Sequence, residues 1–353
     1  MPDLTGYTHS QLISVTGNKP ASSQSWFPML VAFDADTGLN DYTQNAGLDI
    51  ALTLDGDDTE LPYDREEWTD NGANIDARFW VRVPSIDSAS DTDLRMHIGK
   101  AAGTAYATPE DTWNENGAGN FEAVWHLNNV LTDSTGKGHT LTNSGATGSA
   151  TGGKIVGCYL FDDAASDYLE IAEAVVNAYP ITMSAWFKTD VFANQTPLCI
   201  GSNAEDHMER LLTRDPPGSD VVAQTRDGAA WITADTIANY ALNVWQKGDA
   251  ILAAANDRRV FLNGANKQTS AVNYAHPVCN RTNIGCSQAL GSGRYLFMSG
   301  YIEEARLSTV ARSDAWVGFE YDNVADYAGT ITHGSWESTA AGIVILRRRL
   351  EGY

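Results

Sequence analysis

Apolar and polar residues alternate with a period of two, in short runs, along most of the 353-residue chain. Residues 9–15 form the first such run. Residues 26–33 form the second, where Pro28 marks an edge or a bulge. Runs at 48–53, 61–68, 76–84 and 93–99 follow, separated by turn-forming stretches such as Asp55-Gly56-Asp57-Asp58. The pattern resumes at 121–127 and continues through 153–171, 180–189, 221–225, 245–253 and 259–264, the last ending in an Asn-Gly hairpin signal. Successive side chains of a strand point to opposite faces, so this period between glycine-rich turns predicts half-buried antiparallel strands. The predicted fold class is all-β, with two antiparallel β-sandwiches in tandem. Residues 1–102 make the first sandwich and 121–325 the second. Residues 103–120, rich in Gly, Ala, Thr and Asn, read as an accessible hinge, with Trp113 anchoring it to one domain. Residues 326–353 form a tail with a further short strand.

Composition narrows the function. Aspartate and glutamate number 45 against 23 lysines and arginines, a net charge of −22. Such a surface repels phosphate backbones, which excludes nucleic acid and anionic membranes as partners. Aromatic residues make up 10% of the chain, too many for a disordered protein and suited to strands. No apolar run approaches the roughly 20 residues that a membrane helix needs. The start, Met1-Pro2-Asp3-Leu4-Thr5-Gly6, lacks the basic and apolar segments of a secretory signal, so synthesis in a reducing cytosol is expected. Cys158 and Cys199 sit in strand-like runs and read as buried thiols. Cys279 and Cys286 could meet across a hairpin as a disulfide or stay reduced, and the sequence leaves both open.

Two resemblances add to this reading. The segments FPMLVAFDAD, AGLDIALTLDGDDTELPYDREEW, ARFWVRVPSI and DTDLRMHIGKA, over about residues 9–102, resemble a small β-sandwich domain of unassigned function. That domain commonly precedes laminin-G-like domains in bacterial and phage surface proteins. The segments AVWHLNN, DSTGKGHTLTNSGAT, GKIVGCYLFDDAASDYLEI, TNIGC and GYIEEARLSTVARSDAWV, over about residues 121–325, resemble a laminin-G-like, concanavalin A-like jelly roll. Its typical end, a strand giving way to a short helical turn, is part of the match.

The jelly-roll resemblance implies a Ca²⁺ site at the sandwich rim, built from oxygen ligands. Asp162, Asp163 and Asp167 around a tight turn, with Glu303 beside Glu304-x-Arg306, are the candidate ligands. The alternative is that Asp162 and Asp163 cap a turn. The same resemblance implies glycan binding on an aromatic platform, for which Trp231, Tyr240, Tyr274 and Tyr295 lie in or beside predicted loops. Catalytic motifs are missing: there is no HExxH, GxSxG or CxxC. Asp64 and Glu66 share a strand face and come nearest to a carboxylate pair, but read as a solvated face. The scattered histidines read as surface or strand residues.

The expected function is a non-enzymatic, surface-exposed binding or structural module. A phage virion component suits it best, such as a capsid decoration, head fibre or tail-associated protein. Such a chain is made in the cytosol and reaches the outside by lysis. The competing readings are a polysaccharide-degrading enzyme and a secreted adhesin. Partners would be other virion proteins or further copies of this chain, and host-surface glycans. In the tail, Ile343, Val344, Ile345 and Leu346 form an apolar run that must be paired or covered, followed by Arg347, Arg348 and Arg349. This segment is expected to return to the first sandwich or to dock on a neighbouring subunit.

Overall fold

The computed structural model describes residues 4–44, 46–101, 108–114, 120–288, 290–291 and 293–339. Strands dominate, and the sheets are antiparallel, as the period-two runs predict.

The first sandwich packs a four-stranded sheet on a three-stranded one. The four-stranded sheet runs in the order Ile331–Ser338, His9–Val15, Thr92–Ile98, Ala51–Leu54. The three-stranded sheet runs Gln24–Asp36, Ile75–Ile86, Tyr63–Asp70. Its strands do not keep one wet face: residues 27–33 and 79–83 are buried without a break. A sheet buried on both faces reads as a continuous apolar run rather than an alternating one. The four-stranded sheet covers one face and the second domain covers the other. Phe27 meets Trp316 at 4.6 Å and Phe319 at 4.9 Å, both from the helix Asp314–Ala325. This helix is longer than the short turn that the sequence suggests.

The second domain is the jelly roll. An eight-stranded sheet runs Ala265–Ser270, Asp257–Leu262, Gln246–Ala254, Ile181–Thr189, Gly300–Ser308, Cys158–Phe161, Thr147–Ser149, and Phe121–Trp125 also pairs with Gly300–Ser308. A seven-stranded sheet runs Ala230–Asp235, Val221–Asp227, His207–Thr213, Gln195–Gly201, Arg281–Ile284, Tyr168–Ile171, Thr142–Ser144. The apolar core between them includes Trp125, Phe161, Met183, Phe187, Leu211 and Ile302.

The two sandwiches share packing. One apolar cluster contains Phe27, Trp80 and Val83 of the first sandwich together with Phe121, Trp186, Trp316 and Phe319 of the second. Residues 109–114, inside the expected hinge, form a short helix instead. There Trp113 is fully buried, as its large apolar area favours, and its indole N–H donates to Asp64 Oδ2 at 2.9 Å.

The tail does return to the first sandwich, through Ile331–Ser338 paired antiparallel with His9–Val15. That strand is not the apolar run named above: Ile343 to Arg349 lie outside the described residues. All four cysteines are free and buried, so Cys279 and Cys286 are not joined.

Candidate functional site

The outer face of the seven-stranded sheet carries the strongest candidate. In the hairpin formed by Val221–Asp227 and Ala230–Asp235, Arg226 stands opposite Trp231. On the neighbouring strand Arg210 stands opposite Gln224. Val221, Ala223, Ala234 and Leu211 point into the core. Alternation therefore sends Arg210, Gln224, Arg226 and Trp231 outward. The Arg226 guanidinium lies 4.1 Å from the Trp231 ring centroid, and Arg210 lies 5.3 Å away. Trp231 nevertheless keeps 47% of its surface exposed.

Neighbours fix this platform. Arg226 donates to Asp206, to the Gly228 carbonyl at 3.2 Å and to the Tyr295 hydroxyl at 3.2 Å. Arg210 donates to Gln224 Oε1 at 2.7 Å and to the Tyr295 hydroxyl at 3.3 Å. At the rim the Tyr274 hydroxyl donates to Asp227 Oδ2 at 3.0 Å, and Asp227 Oδ1 meets His207 Nε2 at 2.6 Å. The bond to Asp227 raises the Tyr274 hydroxyl pKa above its ordinary value.

Of the four predicted aromatic residues, Trp231 and Tyr295 thus come together, and Tyr274 joins them through Asp227. Tyr240 does not: it is buried in the jelly-roll core, its hydroxyl bonded to the carbonyls of Ala193 and Arg214. Sequence reading missed Arg210 and Arg226, because the register that stacks them on Trp231 is a property of the folded sheet.

The predicted calcium ligands do not converge. Asp162 and Asp163 are exposed at their turn, where Asp162 Oδ1 accepts the Ala164 amide at 2.9 Å and Asp167 Oδ2 accepts the Asp162 amide at 3.1 Å. Asp162 and Asp167 thus cap the turn. Glu303 is fully buried, its carboxyl group held by the backbone amides of Lys154, Ile155 and Val156. Burial first, and Glu66 second, raise the Glu303 pKa well above the carboxylate range, against the pull of those amides.

Glu304, the neighbour of Glu303, belongs to a buried ionic network between the domains. The strand Gly300–Ser308 bulges against Ile181–Thr189, with Glu304 in the left-handed region at φ 52°. Ile302, Ala305 and Leu307 still face the jelly-roll core. The bulge therefore turns Glu303 and Glu304 together towards the first sandwich. His126 bonds Glu304 through Nδ1 and Asp64 Oδ2 through Nε2 at 3.0 Å. Arg306 joins Glu304 to Glu320 Oε1 at 3.0 Å, and Lys247 joins Glu320 Oε2 at 2.8 Å to Asp249. The Arg306 guanidinium also sits 4.2 Å from the Trp80 ring.

Burial opposes charge on His126, but Glu304, Glu66 and Asp64 outweigh it and raise the imidazole pKa well above its ordinary value. At Glu66 burial prevails and pushes the carboxyl up to about 8. Its Oε2 accepts the Trp80 indole at 2.7 Å, and Oε1 has no hydrogen-bond partner among the described residues. Asp64 and Glu66 do share a face, as their spacing predicts, but it is buried against the jelly roll rather than solvated.

Among the described residues, Glu66, His126 and Glu304 are a group whose ligand-type atoms lie within 4.8 Å of one another. Their strongest donors and acceptors are already committed to each other, to Arg306 and to Trp80, and the side chains are buried. The arrangement suits a structural ion network better than a metal or catalytic centre. One signal of it was available in the sequence: two adjacent glutamates interrupt the alternation between Ile302 and Ala305.

Residues 163–318 match the family model of the concanavalin A-like lectin/glucanases superfamily. Residues 46–173 match that of a domain of unknown function (DUF2341). No curated protein matches. Among solved structures, domain 4 of an extracellular arabinanase from Geobacillus stearothermophilus, in complex with arabinotriose, is 18% identical with a TM-score of 0.47. That match covers 56% of this chain and 97% of that one. The receptor-binding domain of botulinum neurotoxin type G is 12% identical with a TM-score of 0.45, over 57% of this chain and 51% of that one. A pentraxin from Limulus polyphemus is 12% identical with a TM-score of 0.36, over 43% and 73%. No described helix is long and apolar enough to cross a membrane. By the two family matches and the fold, the chain carries a laminin-G-like, concanavalin A-like domain preceded by a domain of unknown function.

Proposed function

We propose that this protein is a non-enzymatic carbohydrate-binding module, with the Trp231 face as its binding surface. The observation that supports this best is a large indole left 47% exposed on a sheet face while two arginines hold it in place. An immobilised, exposed aromatic ring stacks on the apolar face of a sugar at little cost in side-chain entropy. The rim supplies hydrogen-bonding groups for sugar hydroxyls: Asp206, His207, Asp227 and Tyr274. Asp206 is tied to Arg226 and Asp227 to His207, so neither is placed as a free acid or base. The match to a superfamily of lectins and glucanases supports the substrate class.

A glycan array probed with the wild-type chain and with Trp231→Ala tests the reading. Wild-type binding that the variant loses supports it. Release of reducing sugar from a polysaccharide by the purified chain would overturn it in favour of the enzyme. The setting we propose is the surface of a phage particle, supported by the resemblance of the two-domain order to phage and bacterial surface proteins. Mass spectrometry of purified particles should find the chain at high copy, and its consistent absence there would contradict that setting.

A further inference from the structure

The first sandwich leaves one end of the eight-stranded sheet uncovered. There Leu160 and Lys188 stand on either side of Tyr301 in register. The three contribute to a groove of about 420 Å³, whose walls add Asp162, Asp190 and Asn243. That volume lies within the range of small-ligand sites, roughly 300 to 1,000 Å³.

The groove holds polar groups that the protein does not use. The Lys188 ammonium sits 4.5 Å from the Tyr301 ring and 5.2 Å from the Trp245 ring. Among the described residues it has no carboxylate partner. Asp190 accepts the Ser299 hydroxyl through one oxygen at 2.9 Å, and Asp162 accepts the Ala164 amide through one oxygen. The second oxygen of each has no protein donor among the described residues. Leu160 is 39% exposed beside them.

The geometry points to a second carbohydrate site, for a neutral sugar, in this groove. The Tyr301 ring and Leu160 suit the apolar face of a pyranose. The Lys188 ammonium can donate to hydroxyl oxygens, and Asp162 and Asp190 can accept hydroxyl protons. Two carboxylates against one ammonium, on a chain of net charge −22, disfavour uronic or sialic acids. This inference rests on the carbohydrate reading and extends it. Lys188 and Tyr301 lie on the outer face of one sheet, and Arg226 and Trp231 on the outer face of the other. The two sites therefore face away from each other, and the module can bridge two glycan chains. Two weak sites gain avidity on a surface that presents many copies.

The test is a set of amide spectra of the full chain titrated with neutral hexasaccharides of glucose, xylose, arabinose and galactose, and with an oligoglucuronate. At least one neutral sugar should move the signals of residues 160–162, 188–190 and 299–301. Those shifts should persist in Trp231→Ala, vanish in Tyr301→Ala and survive in Tyr301→Phe, which keeps the ring. Melting temperature reports whether each variant is folded. Neutral sugars that move the Trp231 strand but leave the groove signals still would overturn the second site and leave the proposed function standing. No response at either face would overturn both. A groove that answers only to oligoglucuronate would overturn the neutral class.

Discussion

Glu66 is one of several buried carboxyls that set the pH dependence of this fold; burial also pushes Glu209 up to about 7 and Asp249 up to about 6. Glu66 is buried beside His126 and Glu304, and burial pushes its folded pKa up to about 8. An exposed glutamate titrates near 4.3. A carboxyl raised on folding contributes stability that is fully present below its unfolded pKa and is lost as pH rises through the folded one. Urea denaturation of the wild type should therefore show stability falling between about pH 4.5 and 8. Glu66→Gln, which keeps an acceptor for Trp80, should make that fall shallower, and the part that persists belongs to Glu209, Asp249 and Glu303. An unchanged slope would mean that Glu66 is not among the titrating groups. Asp64, Glu304 and Glu320 carry lowered values, because their cationic and hydrogen-bonding partners overcome burial. Their contribution is lost at the acid end, as pH falls through their folded values. Little of this was legible in the sequence. Asp64 and Glu66 looked like a solvated pair, because alternation tells that two residues share a face but not what covers it.

At the scale of elements, strand positions were largely legible and their neighbours were not. The run at 9–15 is a strand with the same ends, and those at 26–33 and 76–84 are the cores of the strands Gln24–Asp36 and Ile75–Ile86. Local pattern specifies such elements because turns and alternation act over a few residues. The partner of an edge strand is a long-range fact. Gln24–Asp36 is an edge of its sheet, and Asn323 from the helix Asp314–Ala325 caps it. The Asn323 side chain accepts the Leu30 amide at 2.7 Å and donates to the Leu30 carbonyl at 3.1 Å. Edge groups buried in this way need partners. Asn323→Ala should leave both unpaired and cost about 2 to 4 kcal/mol in chemical denaturation. A loss below about 0.5 kcal/mol would show that water replaces the side chain. The strand Ile331–Ser338 is a second such element. Truncation after Thr330 should lower the melting temperature markedly. Truncation after Gly342 removes only the proposed assembly segment and should act on oligomer or particle attachment instead. The reverse order of effects would reassign the two segments.

The whole molecule behaves as one packed unit in this account. Trp186 of the jelly roll lies in the same apolar cluster as Phe27 and Trp80 of the first sandwich, and the ionic network crosses the same boundary. Calorimetry should therefore give a single transition whose van't Hoff and calorimetric enthalpies agree. Trp186→Ala should lower the stability of the whole by about 3 to 5 kcal/mol. Two resolved transitions, with only one of them moved by Trp186→Ala, would show that the domains unfold separately. Within the expected hinge Trp113 is the anchor, as the sequence suggests, while residues 103–107 and 115–119 lie outside the described residues. A polar, glycine-rich segment can still be pinned by one aromatic residue whose burial site lies elsewhere in the chain. Tyr295, from a separate two-stranded ribbon, is brought to Trp231 through Arg210 and Arg226, while Tyr240 lies in the core that its aromatic area favours.

One signal reports directly on carbohydrate binding at the Trp231 face. The Trp231 indole N–H resonance, assigned by its disappearance in Trp231→Phe, can be followed while the wild-type chain is titrated with a glycan that it binds on an array. A saturable shift of that resonance is expected, with the same midpoint as binding measured by calorimetry. Saturable binding that leaves the Trp231 resonance unmoved would contradict it.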